Sequence, residues 1–152
     1  MVYEPVRDEV FWAERNEGAY LNRQRLRVSG RSDMRDALLA TGIPFGNRPG
    51  KKAFSAMLNV VMNRTAGVRR QGSAALDLAY VAAGRFDGFW EFALSPWDIA
   101  AGLAILREAG GIATEMNGGD AMMKSGDILA TNGHLHEDLR RLLARAATPA
   151  DK

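Results

Sequence analysis

From residue 35 onward the chain alternates short apolar runs with longer segments of helical periodicity. That rhythm restricts the fold more than any other feature, because alternating strands and helices pack as a layered α/β arrangement. Residues 36–42 form an apolar run closed by glycine and read as a buried strand. Phe54, Met57, Leu58 and Val61 fall at helical spacing within residues 51–63, and a core role is expected for Met57, Leu58 and Val61. A short strand is expected over 66–70, a helix over 73–83 stopped at Gly84, and an aromatic strand over 88–92. A further helix is expected from Ser95 to about Ala109, with strands over 112–116 and 127–131 and a last helix over about 135–144. Residues 46–50 read as a loop, 117–120 as a turn, and the Met122–Met123 pair as core.

The first 28 residues break this rhythm. They read as an antiparallel meander, with strands over 9–15, 18–21 and 26–28 and polar turns at 16–17 and 22–25. The expected organisation is therefore antiparallel strands over residues 1–30, an α/β domain over 31–145 and a disordered tail over 146–152. Open strand edges in residues 2–28 predict pairing with another chain.

Composition narrows the chemistry. The 152 residues suit about one domain, with 47% hydrophobic and 25% charged residues. The absence of cysteine excludes disulfides, cysteine-ligated zinc, iron–sulfur clusters and thiol catalysis. A net charge of +2 is too balanced to argue for nucleic acid by itself. No apolar run approaches the ~20 residues that span a bilayer. Met1-Val2-Tyr3-Glu4-Pro5 lacks a basic start followed by an apolar stretch, so a cytoplasmic protein is expected.

Several positions can carry chemistry. Ser95-Pro96-Trp97-Asp98 is a helix start in which Asp98 either caps the helix or, at a strand-to-helix loop, acts as a hard-metal ligand. Glu91 lies either on the solvent face of its strand or near the strand end, where it can accept hydrogen bonds from substrate hydroxyls. Gly72-Ser73-Ala74 precede a helix; Ser73 either simply caps it or leaves open N–H groups for an anion or polar ligand. Arg64, Arg69 and Arg70 add positive charge nearby. His134 and His136 have no third ligand at metal spacing, and no Walker or GxGxxG loop occurs.

In combination the segments become specific. Gly72-Ser73-Ala74-Ala75-Leu76-Asp77-Leu78, Asp87-Gly88-Phe89-Trp90-Glu91, Pro96-Trp97-Asp98-Ile99-Ala100-Ala101-Gly102 and Glu108-Ala109-Gly110-Gly111 closely resemble the C-terminal half of the inositol monophosphatase family. Tyr3-Glu4-Pro5-Val6-Arg7-Asp8-Glu9, Glu14 and Gly18-Ala19-Tyr20-Leu21-Asn22 resemble its mid-chain meander. The resemblance implies a layered αβαβα sandwich and a commonly dimeric, Mg2+-dependent, Li+-sensitive phosphomonoesterase acting on a small phosphorylated polyol. It implies Asp98 as a Mg2+ ligand, Glu91 as the acid that binds inositol hydroxyls, and Gly72, Ser73 and Ala74 as a wall of the substrate pocket. The family's Asp-Pro-x-Asp-Gly-Thr loop, which supplies two further metal-binding aspartates, does not occur in the chain. A chain of this kind is expected to bind Mg2+ weakly and turn over little substrate by itself. The alternative is a non-catalytic regulatory or interaction module that keeps the fold.

Overall fold

The turns at the start of the chain are built from residue types that tolerate left-handed backbone. Asp8, Asn16 and Asn22 sit at φ 54°, 65° and 53°. They reverse the chain between β1 (Val2–Glu4), β2 (Glu9–Glu14), β3 (Gly18–Leu21) and β4 (Gln24–Arg25), an antiparallel sheet in sequential order. The last strand falls earlier than the expected 26–28. Asn22 and Arg23 alone complete the reversal, so Leu21 pairs with Gln24, while Leu26 N–H still donates to the Ala19 carbonyl at 2.7 Å. The computed structural model describes residues 1–44, 46 and 50–147; most of the expected 46–50 loop and the end of the tail lie outside the described residues.

The second sheet begins after a 3-10 turn, Met34–Asp36. It is built from β5 (Leu38–Thr41), β6 (Gly67–Arg69), β7 (Gly88–Glu91), β8 (Ile112–Thr114) and β9 (Ile128–Thr131), in the order β6-β5-β7-β9-β8. The first three strands run parallel and β9 is antiparallel to both of its neighbours. The helices are α1 (Lys51–Met62), α2 (Ala74–Ala82), α3 (Pro96–Glu108), α4 (Met122–Ser125) and α5 (His136–Ala147).

Strand alternation sorts the core into two layers. Ala40, Phe89 and Ala130 face α2 and α3, where they meet Leu78, Leu103 and Leu106. Leu39, Trp90 and Leu129 face the other way, onto Phe54, Met57 and Val61 of α1 and Leu139 and Leu143 of α5. The far side of α2 and α3 is covered by Phe11, Ala19 and Leu26 of the first sheet region. The order of layers is thus sheet, α2/α3, sheet, α1/α5, and residues 1–30 share a core with the segment that follows them.

A buried carboxylate ties these parts together. Asp87, fully buried, receives both contacts of Arg31 at 2.8 Å, the Ser29 hydroxyl at 2.5 Å and the Leu38 N–H at 2.7 Å. The link from the first sheet to the second is thereby held by one acid whose charge is paired rather than stranded.

Three local expectations need correction. Leu58 of α1 is only partly buried, packed against the core rather than within it. Met123 is 44% exposed although Met122 is core, because the two lie in the one-turn helix α4, which ends at Gly126 in left-handed backbone. The expected tail begins too early: α5 continues through Ala146 and Ala147, both packed against the α1/α5 core. His136 is buried between the Thr114 and Thr131 hydroxyls, at 3.0 Å from each ring nitrogen, and burial lowers its pKa.

Candidate functional site

Parallel strands β5 and β7 end side by side, with Thr41 opposite Trp90. The next positions, Gly42 and Glu91, are therefore neighbours at the carboxyl end of the sheet, where open α/β sheets bind ligands. Glu91 follows Phe89 on the face toward α2 and α3, so it is half-buried at a strand end rather than on a solvent face. Its carboxyl group occupies the space that a side chain at position 42 would fill. A Cβ there would lie 1.9 Å from the Glu91 Cδ, so only glycine permits this placement.

Two helix starts meet the same place. Gly72 turns the chain at φ 93°, and Ser73 caps α2 by accepting the Leu76 N–H at 3.4 Å. Ser95 precedes α3, Pro96 takes the first helical position, and Asp98 Oδ2 accepts the Ser95 N–H at 2.9 Å. The capping role open to Asp98 in the sequence is thus realised. It engages one of the two carboxylate oxygens.

Glu91, Gly72, Ser73, Ala74 and Asp98 all line one cleft of about 320 Å3, together with Gly42, Arg70 and Trp97. A volume of this order suits a small ligand. Its polar wall is mixed: the positive ends of α2 and α3 and the Arg70 guanidinium oppose the carboxylates of Glu91 and Asp98. The 80% exposed Trp97 sits among these lining residues.

Beneath the cleft lies an acid that sequence reasoning missed. Asp77, in the first turn of α2, is 1% exposed, and its Oδ1 has no hydrogen-bond partner among the described residues. Burial, reinforced by the charge of Glu91 and opposed by Arg70, pushes its pKa up to about 7. The available signal was a single carboxylate within the apolar run Ala74-Ala75-Leu76-Asp77-Leu78. Gly42 was missed because a glycine after a strand reads as a stop.

Magnesium needs a near-octahedral shell of oxygens. Among the described residues no three His, Cys, Asp or Glu side chains are grouped to hold a metal ion. Asp98 fits one corner of such a shell, and the residues present do not fit the whole.

The layered sheets and the cleft at the ends of parallel strands define an α/β protein with a small cleft at the carboxyl end of its second sheet. Residues 1–148 match the inositol monophosphatase family, and the chain belongs to that family. It is 48% identical over 145 residues to an inositol-1-monophosphatase of Rhizobium meliloti (strain 1021), covering 95% of this chain and 54% of that relative. It is 49% identical over 132 residues to the Nus factor SuhB of Escherichia coli (strain K12), covering 87% and 49%. The extragenic suppressor protein suhB from Bartonella henselae superposes with a TM-score of 0.89 at 48% identity, over 93% of this chain and 54% of that structure. The chain spans about half the length of the curated relatives it matches. These matches do not bear out its assignment to the C-terminal half. No helix among the described residues is long and apolar enough to cross a membrane.

Proposed function

We propose that this chain forms the polyol-binding side of a Mg2+-dependent inositol monophosphatase that hydrolyses inositol monophosphate to inositol and phosphate. The convergence of Glu91, Asp98 and the start of α2 on one cleft carries this reading. Glu91 accepts hydrogen bonds from ring hydroxyls, held in position by the absence of a side chain at Gly42. Gly72, Ser73 and Ala74 form the wall against which the ring packs. Asp98 would offer one carboxylate to a Mg2+ ion, which when bound would supply charge stabilisation and an activated water. Li+ sensitivity, cytoplasmic location and self-association accompany this reading.

The test is calorimetric titration of inositol 1-phosphate with Mg2+ into the purified chain, with phosphate release followed in parallel. Glu91→Gln and Gly42→Ala are expected to weaken polyol phosphate binding at least tenfold, and Asp98→Asn to remove its Mg2+ dependence. Turnover by the chain itself is expected to be slight. Binding that is indifferent to all three substitutions overturns the assignment, and brisk turnover abolished by Asp98→Asn overturns the incomplete metal site.

A second reading, a non-catalytic interaction module, is favoured by relatives named Nus factor SuhB. It predicts no polyol phosphate binding at all.

A further inference from the structure

A second concave site lies at the other end of the same strands. Met34 and Arg35 precede β5, and Arg64 precedes β6, whereas Gly42 and Arg70 of the first cleft follow those strands. Together with Asp138, Arg141, Leu142 and Arg145 on one face of α5, they enclose a cleft of about 390 Å3. Four arginines and one aspartate line it, and once the acids that pair Arg35 and Arg141 from outside the lining are counted, one positive charge is left in excess. Guanidinium groups do not lose their protons at any physiological pH, so this charge cannot be relieved by titration.

The arginines divide into two kinds. Arg35 is held by Asp33 at 2.6 Å and Arg141 by Glu137 at 2.6 Å, and both acids lie outside the lining. Arg64 and Arg145 have no acidic partner within salt-bridge distance among the described residues. Two guanidiniums are therefore held by acids and two are left to meet a ligand, with Met34 and Leu142 as the apolar part of the lining. Planar guanidinium forks match phosphate oxygens in pairs. The lining holds no aromatic ring on which a base could stack, which disfavours single-stranded nucleic acid.

We propose that this arginine cleft binds a small anion carrying two or more linked phosphates, at a site separate from the polyol cleft and independent of the function assigned there. Inorganic tripolyphosphate is the direct probe, titrated into the full chain by calorimetry at low and physiological ionic strength. Saturable binding that weakens with salt is expected. Arg64→Gln combined with Arg145→Gln is expected to weaken it at least tenfold, whereas Arg69→Gln, on the exposed edge strand β6, leaves it unchanged. Thermal melting checks that the double variant is folded, and each single variant, expected to lose binding severalfold, replaces it should it melt early. ADP binding tighter than tripolyphosphate identifies a nucleotide as the source of the phosphates, and equal binding identifies the phosphates alone; both support the site. No saturable binding at low ionic strength, equal loss in Arg69→Gln, or an RNA oligonucleotide bound more tightly than tripolyphosphate overturns it.

Discussion

At the scale of single residues, buried acids decide most of what is distinctive. Asp87 is neutralised by Arg31 and three further hydrogen-bond links, counting Ser29, Leu38 and the Asn132 amide that donates to Ser29 at 2.8 Å. Asp77 has no such shell, and its pKa of about 7 means that the folded chain holds a proton the unfolded chain releases near pH ~4. Between those values the folded state binds more protons than the unfolded state, so stability falls as pH rises, and it levels off above about 7. Asp77→Asn removes that slope. Denaturant midpoints are expected to show the variant gaining on the wild type by on the order of 4 kcal/mol from pH 4 to pH 8. An unchanged difference across that range refutes the buried neutral acid. Asp98 and Glu91 were legible as candidates because a helix-start pattern and a lone acid in an aromatic strand are visible in the chain. Asp77 and Gly42 were not, since burial and a 1.9 Å approach are properties of neighbours far away in sequence.

At the scale of elements, most boundaries follow from apolar spacing and glycine stops. The helices expected over 51–63, 73–83 and 95–109 form as Lys51–Met62, Ala74–Ala82 and Pro96–Glu108. The errors fall where local signals are weakest: the one-turn α4, the two-residue β4 and the last turn of α5, which survives because Ala146 and Ala147 pack against the core. How closely helices approach is likewise settled in three dimensions. Gly102 of α3 lies against Leu78 of α2, and an added Cβ would sit 2.6 Å from the Leu78 Cβ. Gly102→Ala is expected to destabilise by about 1–3 kcal/mol despite alanine's better helix propensity, because the overpacked pair must separate. Chemical denaturation measures this, and a variant as stable as the wild type contradicts the tight α2–α3 contact.

At the scale of the whole molecule, the first sheet is covered on one face by α2 and α3 and carries β1 and β4 at its edges. Its other face presents the stacked pair Trp12 and Tyr20, with ring centroids 4.6 Å apart, and Tyr3 at 51% exposure. An open edge, the exposed Tyr3 and the half-buried Trp12–Tyr20 pair favour association through this sheet. The chain is expected to sediment as dimers or larger species at micromolar concentration. Trp12→Ser and Tyr3→Ser together are expected to shift it toward monomer. A wild-type chain that remains monomeric across that range counts against the open sheet.

The sequence by itself determined the layered α/β class, most of the order of strands and helices after residue 35, and the choice of Glu91, Asp98, Gly72, Ser73 and Ala74 as candidate site residues. Periodicity, capping and family motifs are written in contiguous residues. Only the tertiary structure decided that Glu91 rests against Gly42, that Asp77 is buried beneath them, and that Arg35, Arg64, Arg141 and Arg145 share a cleft. Each of those depends on distances between segments brought together by packing, where burial and charge act through space and not along the chain.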